Sequence, residues 1–136
     1  MYLEIQRIDP EEIRHEVLKS RAKKAHTRRS IEFVAVDKGV EVGLLSFEDR
    51  SEDGLGFVYE IFVPREFRCR GVGSFLLLHA EEFALQLSCT ILRLKPYALD
   101  VDPGLSVIKA WYSRCGYRQS IGDIEHMEKS LNKIAQ

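Results

Sequence analysis

The chain has 136 residues, 45% of them hydrophobic and 30% charged, with 20 lysines and arginines against 21 acids and a net charge of −1. That length holds about one domain with a real core, and a balanced charge excludes a globally polybasic nucleic-acid or membrane binder. No apolar run reaches the roughly 18 residues of a membrane span, and the N-terminus carries no signal-peptide apolar region.

From the N-terminus, YLEIQRI alternates and is read as a strand. In DPEEI, Asp9 suits an N-cap, Pro10 a first helical position and Glu12 the first turn. A helix is therefore expected from near Pro10, with Ile13 and Val17 on its apolar side and a basic continuation to about His26. Two strand-like runs follow around Lys38-Gly39, a hairpin signal, and the polar EDRSEDGLG makes the next turn. The apolar FVYEIFV is expected to be a central strand buried on both faces. From Val72, apolar residues recur at Leu76, Ala80, Phe83, Ala84 and Leu87, which is helical spacing. TILRLK is a strand stopped by Pro96, SVIKAWYSRC a short helix ended by Gly116, and YRQSI with IEHMEKSL a closing hairpin. The order β-α-β-β-β-α-β-α-β-β predicts one α/β domain over residues 1–136, largely antiparallel, with one parallel pair made by the crossover through the long helix.

Charge is locally uneven. Arg14, Lys19, Arg21, Lys23, Lys24, Arg28 and Arg29 form a basic region, while Glu48, Asp49, Glu52 and Asp53 form an acidic loop. Solvated faces account for most such runs, though either can steer a charged ligand. Cys69, Cys89 and Cys115 are scattered and odd in number, which argues for a reducing compartment, and a cytoplasmic location is expected. No His, Cys and Asp cluster has metal-ligand spacing, so no metal is expected.

The chemistry concentrates in FRCRGVGSF. Glycines let a backbone turn tightly and approach a ligand, a helix N-terminus offers unpaired N–H groups, and Arg68 and Arg70 can bind phosphate oxygens. A diphosphate suits the site, although a glycine turn between strand and helix is common without one. The dinucleotide fingerprint fails because Leu76 stands where its third glycine belongs, and the P-loop lysine is missing.

EIFVPREFRCRGVGSFLLLHAEEFA resembles the acetyl-CoA-binding motif of the GCN5-related N-acetyltransferase (GNAT) superfamily, with Phe67 before Arg68-x-x-Gly71-x-Gly73. AWYSRCGYR resembles the family's second motif through Tyr112, Gly116 and Tyr117. Arg65 stands where the family often has proline, and Leu105 where it often has asparagine. The resemblance implies a mixed, largely antiparallel sheet of six to seven strands flanked by helices, with a central parallel pair that splays.

It also implies that main-chain groups of Arg68, Cys69, Arg70, Gly71, Val72, Gly73 and Ser74 hold the pyrophosphate of acetyl-CoA. Main-chain groups of Ile61, Phe62 and Val63 would run beside its pantetheine arm, and an N–H near Phe62 or Val63 would polarise the thioester carbonyl. Tyr112 becomes the expected general acid, and Glu60 the candidate general base. Side-chain alternation is expected to send Tyr59 and Glu60 to opposite faces. Asp100, Asp102 and His79 are weaker candidates for the base, His79 being expected to be structural, with His15 and His26 as exposed helix residues.

The expected activity is direct acetyl transfer to a primary amine of a small molecule or peptide, the acidic loops favouring a cationic acceptor. The alternative is a sensor or scaffold domain that binds acyl-CoA without transferring the group. A homodimer through the last hairpin is possible, and neither nucleic acid nor membrane is an expected partner.

Overall fold

The computed structural model describes residues 2–96 and 104–131. The alternating first run forms β1, Leu3–Arg7. Asp9 does cap the next segment, accepting from the Glu11 amide at 3.0 Å, but Pro10–Glu12 makes only one 3-10 turn. Ile13 returns to an extended conformation, and helix α1 spans Glu16–Ala25. The expected helix start at Pro10 is thus corrected, and the basic segment is the helix itself. The cause lies 27 residues away, where the buried Glu41 carboxylate accepts from the amides of Arg14 at 2.9 Å and His15 at 2.6 Å. His15 Nδ1 then caps α1 by accepting from the Leu18 amide, so this half-buried residue is not the exposed one expected. Leu18, Ala22 and Ala25 form the buried side of α1, whereas Val17 is exposed.

Strands β2 (Ser30–Asp37) and β3 (Val40–Arg50) form the expected hairpin, with Lys38 and Gly39 both at positive φ. A two-residue turn of that kind matches the strand twist. The chain continues through a 3-10 turn and Gly54 into β4 (Leu55–Phe62), then α2 (Val72–Gln86) and β5 (Ile91–Leu94). Helix α3 (Leu105–Arg114) and the hairpin of β6 (Arg118–Ser120) with β7 (Asp123–Ser130) complete the fold. Among the described residues seven strands form one sheet in the order β1-β2-β3-β4-β5-β7-β6, with β4 and β5 parallel and the other neighbours antiparallel.

The sheet separates two clusters. On one face Phe33, Leu45, Phe47 and Val58 pack under Leu76, Leu77, Ala80 and Ala84 of α2, joined by Tyr112 of α3. On the other face Val34, Leu44 and Phe62 pack under Leu18 and Ala22 of α1. Each large side chain so buried contributes about 1.5–3 kcal/mol. His79 lies beside Phe33, ring centroids 4.6 Å apart, and burial pushes its imidazole below the usual histidine range. Its structural reading agrees with this setting. Among the described residues no helix is long and apolar enough to cross a membrane.

Strand β4 is central and has buried residues on both faces, Gly56 and Val58 toward α2 and Glu60 and Phe62 toward α1, while Tyr59 is half-exposed. Gly56 is small for a reason of packing. A β-carbon there would lie 2.7 Å from the Phe47 ring and 3.2 Å from the Ala84 methyl. Because Phe47 is fully buried and cannot retreat, Gly56→Ala is expected to lower the unfolding free energy by about 1–3 kcal/mol in urea titration.

Candidate active site

Strands β4 and β5 pair only from Leu55↔Ile91 to Val58↔Leu94. Beyond Val58, β4 continues to Phe62 bonded to β3 alone, while β5 has ended and Pro96 follows two residues later. The two strands part, and a cleft opens between them, lined by Val58, Tyr59, Glu60, Ile61, Leu94, Lys95 and Tyr112.

A bulge sits at the mouth of this opening. Ser46 pairs with Glu60 and Phe47 with Val58, so Tyr59 is the extra residue. Val58 and Ile61 both pack into the α2-side cluster although three residues apart, an odd spacing that only an added residue permits. Val58 thus faces α2, whereas Glu60, only two residues on, reaches Arg21 of α1 on the opposite face. Strict alternation, the basis for expecting Tyr59 and Glu60 on opposite faces, therefore fails across the bulge.

Downstream, Arg65–Phe67 form one 3-10 turn after Pro64, and Arg68 is extended. Cys69 has φ +64° and Gly71 φ +82°, so the backbone turns twice through the left-handed region before α2. Gly71 is the N-cap of α2, and no side chain caps that end. The first helical bond runs from the Phe75 amide to the Gly71 carbonyl at 3.0 Å. The amides of Val72, Gly73 and Ser74 precede it, at the positive end of a 15-residue helix. A β-carbon on Gly71 would meet nothing within 4 Å, and one on Gly73 would touch the Trp111 ring at 3.8 Å and Val63 at 4.0 Å. Space for a phosphate group thus adjoins unpaired amides, and this cradle fits a diphosphate. Arg70 and Cys69 are exposed, whereas the Arg68 Nε donates to the Val63 carbonyl at 2.9 Å. Arg68 therefore ties the loop back to the end of β4.

Two candidate catalytic residues line the cleft. Glu60 is buried, and its Oε2 accepts from the Arg21 Nε, while the Arg21 guanidinium lies 4.4 Å from the Phe62 ring centroid. Tyr112 is buried between Trp111 and Tyr117, with ring centroids 4.7 and 5.8 Å away. The second tyrosine of the motif is locked elsewhere: Tyr117 donates to Glu81 of α2 at 2.7 Å, and Lys129 joins the same carboxylate at 3.2 Å. Burial and then the Glu81 charge push the Tyr117 hydroxyl far above the ordinary tyrosine range.

The acetyltransferase (GNAT) family model matches residues 1–117. This chain belongs to the GNAT family. No curated relative matches it significantly. Among solved structures, IAA acetyltransferase from Bacillus cereus aligns with a TM-score of 0.73 at 20% identity, over 96% of this chain and 100% of that one. The PaiA N-acetyltransferase of Thermoplasma acidophilum, solved in complex with coenzyme A, gives 0.69 at 15% identity, over 96% and 99%. Nourseothricin acetyltransferase gives 0.60 at 25% identity, over 77% of this chain and 67% of that one. The first two likenesses concern the fold, and the acceptor must be read from this chain's own site.

Within this GNAT fold the remaining candidates are dispersed. Asp100 and Asp102 lie outside the described residues, as does most of their loop. His26 follows α1 as its C-cap and contacts buried Glu32 at 2.7 Å, with Ser46 donating to the same carboxylate at 2.7 Å. Acids of the β3–β4 turn region are engaged internally: Glu48 accepts from Arg50, and Glu52 pairs with Arg29. Burial raises the thiols of Cys89 and Cys115, neither of which lines the cleft. Arg21 is the residue that sequence reasoning left inside a generic basic run, since nothing local distinguishes it from Lys19 or Lys23.

If backbone amides are the main phosphate grip, the conformation of Gly71 matters more than the charge of Arg70. Gly71→Val places a branched side chain at φ +82°, a strain of about 1–2 kcal/mol that displaces the amides. Coenzyme A affinity, measured by calorimetry, is expected to fall about tenfold or more in Gly71→Val and only about two- to threefold in Arg70→Ala. The reverse order would make side-chain charge the principal grip.

Proposed function

We propose that this protein transfers an acetyl group directly from acetyl-CoA to the primary amine of a small molecule or peptide. The observation that carries the reading is the parting of β4 and β5 after Val58, which brings Glu60 and Tyr112 to one cleft. The uncapped start of α2 lies a short loop beyond the end of β4. Membership of the family and the complex of the Thermoplasma neighbour with coenzyme A support the same donor.

When bound, acetyl-CoA supplies an activated acetyl thioester. The Arg68 amide is taken by the Arg65 carbonyl at 3.2 Å, so the amides from Cys69 to Ser74 hold the pyrophosphate, and Ile61, Phe62 and, just past β4, Val63 align the arm in the cleft. An amide near Phe62 or Val63 stabilises the negative charge that develops on the carbonyl oxygen. Glu60 receives the proton of the attacking ammonium, and Tyr112 Oη donates a proton to the leaving sulfur. A phenol is well suited to the second role because it stays protonated at neutral pH. Holding amine and thioester in one cleft supplies much of the rate, since positioning replaces a bimolecular encounter.

Thiol release from acetyl-CoA, measured with a panel of amines, tests this assignment. Tyr112→Phe is expected to lower kcat about a hundredfold while coenzyme A affinity stays within about twofold, as loss of a proton donor requires. Tight coenzyme A binding with no turnover on any amine would instead mark a domain that holds the acyl carrier without using it.

A further inference from the structure

The acceptor side of the cleft has an unexpected charge arrangement. The only carboxylate lining the described cleft, Glu60, is held by Arg21, whose Nε–H donates to its Oε2. The Arg21 guanidinium lies over the Phe62 ring, 4.4 Å from its centroid, and that of Arg68 lies 6.0 Å from the same centroid. Arg21 remains 29% exposed, so a ligand can reach it. Other acids on this face are engaged: Glu32 by His26 and Ser46, Glu41 by the amides of Arg14 and His15, and Glu48 by Arg50. A polycationic acceptor would meet two guanidinium groups and no uncommitted acid among these. Of the acids in the β3–β4 turn region that favoured a cationic acceptor, Glu48 is paired with Arg50 and Glu52 with Arg29.

We propose that the acceptor is a free α-amino acid, whose carboxylate takes Arg21 from Glu60 and so presents its amine to that glutamate. This rests on the acetyl-transfer reading and names its substrate class. A guanidinium and a carboxylate already in contact mark two adjacent subsites, one for an anion and one for an ammonium group. A ligand that fills both must carry its opposite charges on neighbouring atoms, as an α-amino acid does across a single carbon. A peptide amine does not qualify, because its own α-carboxyl is an uncharged amide. The planar fork of arginine suits a carboxylate, and stacking on Phe62 keeps it oriented after the exchange. With Arg21 withdrawn, Glu60 Oε2 receives the ammonium proton. The amine nitrogen then forms the C–N bond as the C–S bond breaks, the sulfur leaves with the Tyr112 proton, the nitrogen's second proton returns to the tyrosinate, and Glu60 releases its proton to solvent. Glu60 is thus latched by Arg21 until an acceptor of the right charge arrives.

The experiment compares kcat/KM for glycine, alanine, glutamate and phenylalanine with that for their carboxamides and for spermidine. It uses the intact chain and its Arg21→Gln and Arg21→Lys variants, with melting temperatures recorded for each. At least one free amino acid is expected to exceed its carboxamide about tenfold or more, the scale of one charge-assisted contact. That ratio is expected to fall to within about twofold in Arg21→Gln and to recover in part in Arg21→Lys. A purely structural Arg21 would lower stability without changing the ratio, and should Arg21→Gln unfold, the lysine variant and the wild-type ratio still decide. Carboxamides or spermidine used as well as amino acids, or a ratio unchanged in folded variants, overturns the proposal and leaves acetyl transfer standing. If no amine is turned over, calorimetry with coenzyme A present separates the two ideas. Amino-acid binding that needs the carboxylate and Arg21 sustains the subsite and removes only the transfer reading, while its absence removes both.

Discussion

The structure depends on one constraint: a parallel pair of strands that cannot stay paired. Four residues of β4 bond to β5, and then the extra residue at Tyr59 turns the rest of β4 onto a different course. Pro96, shortly after β5, lacks the amide that continued pairing would use. The main-chain groups left on the edge of β4 lie inside a domain and beside a cleft, where an unpaired backbone is costly unless a ligand or water takes it. The same bulge decides which side chains serve the cleft. Without it Glu60 would share a face with Val58, under α2, and could not meet Arg21.

A second feature follows from that geometry. Beneath α1, Glu32, Ser46 and Glu60 occupy facing positions on three neighbouring strands, all buried. Buried carboxylates are tolerated only with partners, and these have them: His26 and Ser46 bind Glu32, and Arg21 binds Glu60. Glu41 joins them by binding the amides at the entrance of α1. The α1 face is therefore a polar interface as much as an apolar one, in contrast to the α2 face with its Leu, Val and Phe packing. A helix held partly by ion pairs is also the element that carries Arg21 to Glu60.

Much of this was legible in the residue order. Lys38-Gly39 announced its hairpin because two residues at positive φ suffice to turn the chain. The α2 periodicity from Val72 to Phe83, and the glycine loop before it, located the helix and its open N-terminus. Spacing against a known family pattern picked out Tyr112, which does line the cleft. The start of α1 was misread because Asp9-Pro10 is a sound local helix signal, overridden by a carboxylate from β3. Strict alternation through Tyr59 and Glu60 failed for a related reason. Alternation holds within one strand, whereas a bulge is a property of the pairing between two.

What the sequence by itself determined was therefore local: the order of elements, the backbone conformation at Gly71, the apolar stripe of α2 and the identity of the family motifs. These depend on torsional preference and on periodicity over a few residues, both contained in any short window of the chain. What only the tertiary structure decided was which charges meet. Arg21 and Glu60 are 39 positions apart, and their contact requires α1 to dock on β3 and β4 while the register of those strands slips by one at Tyr59. No local signal encodes a register, because it is set by the packing of both sheet faces at once.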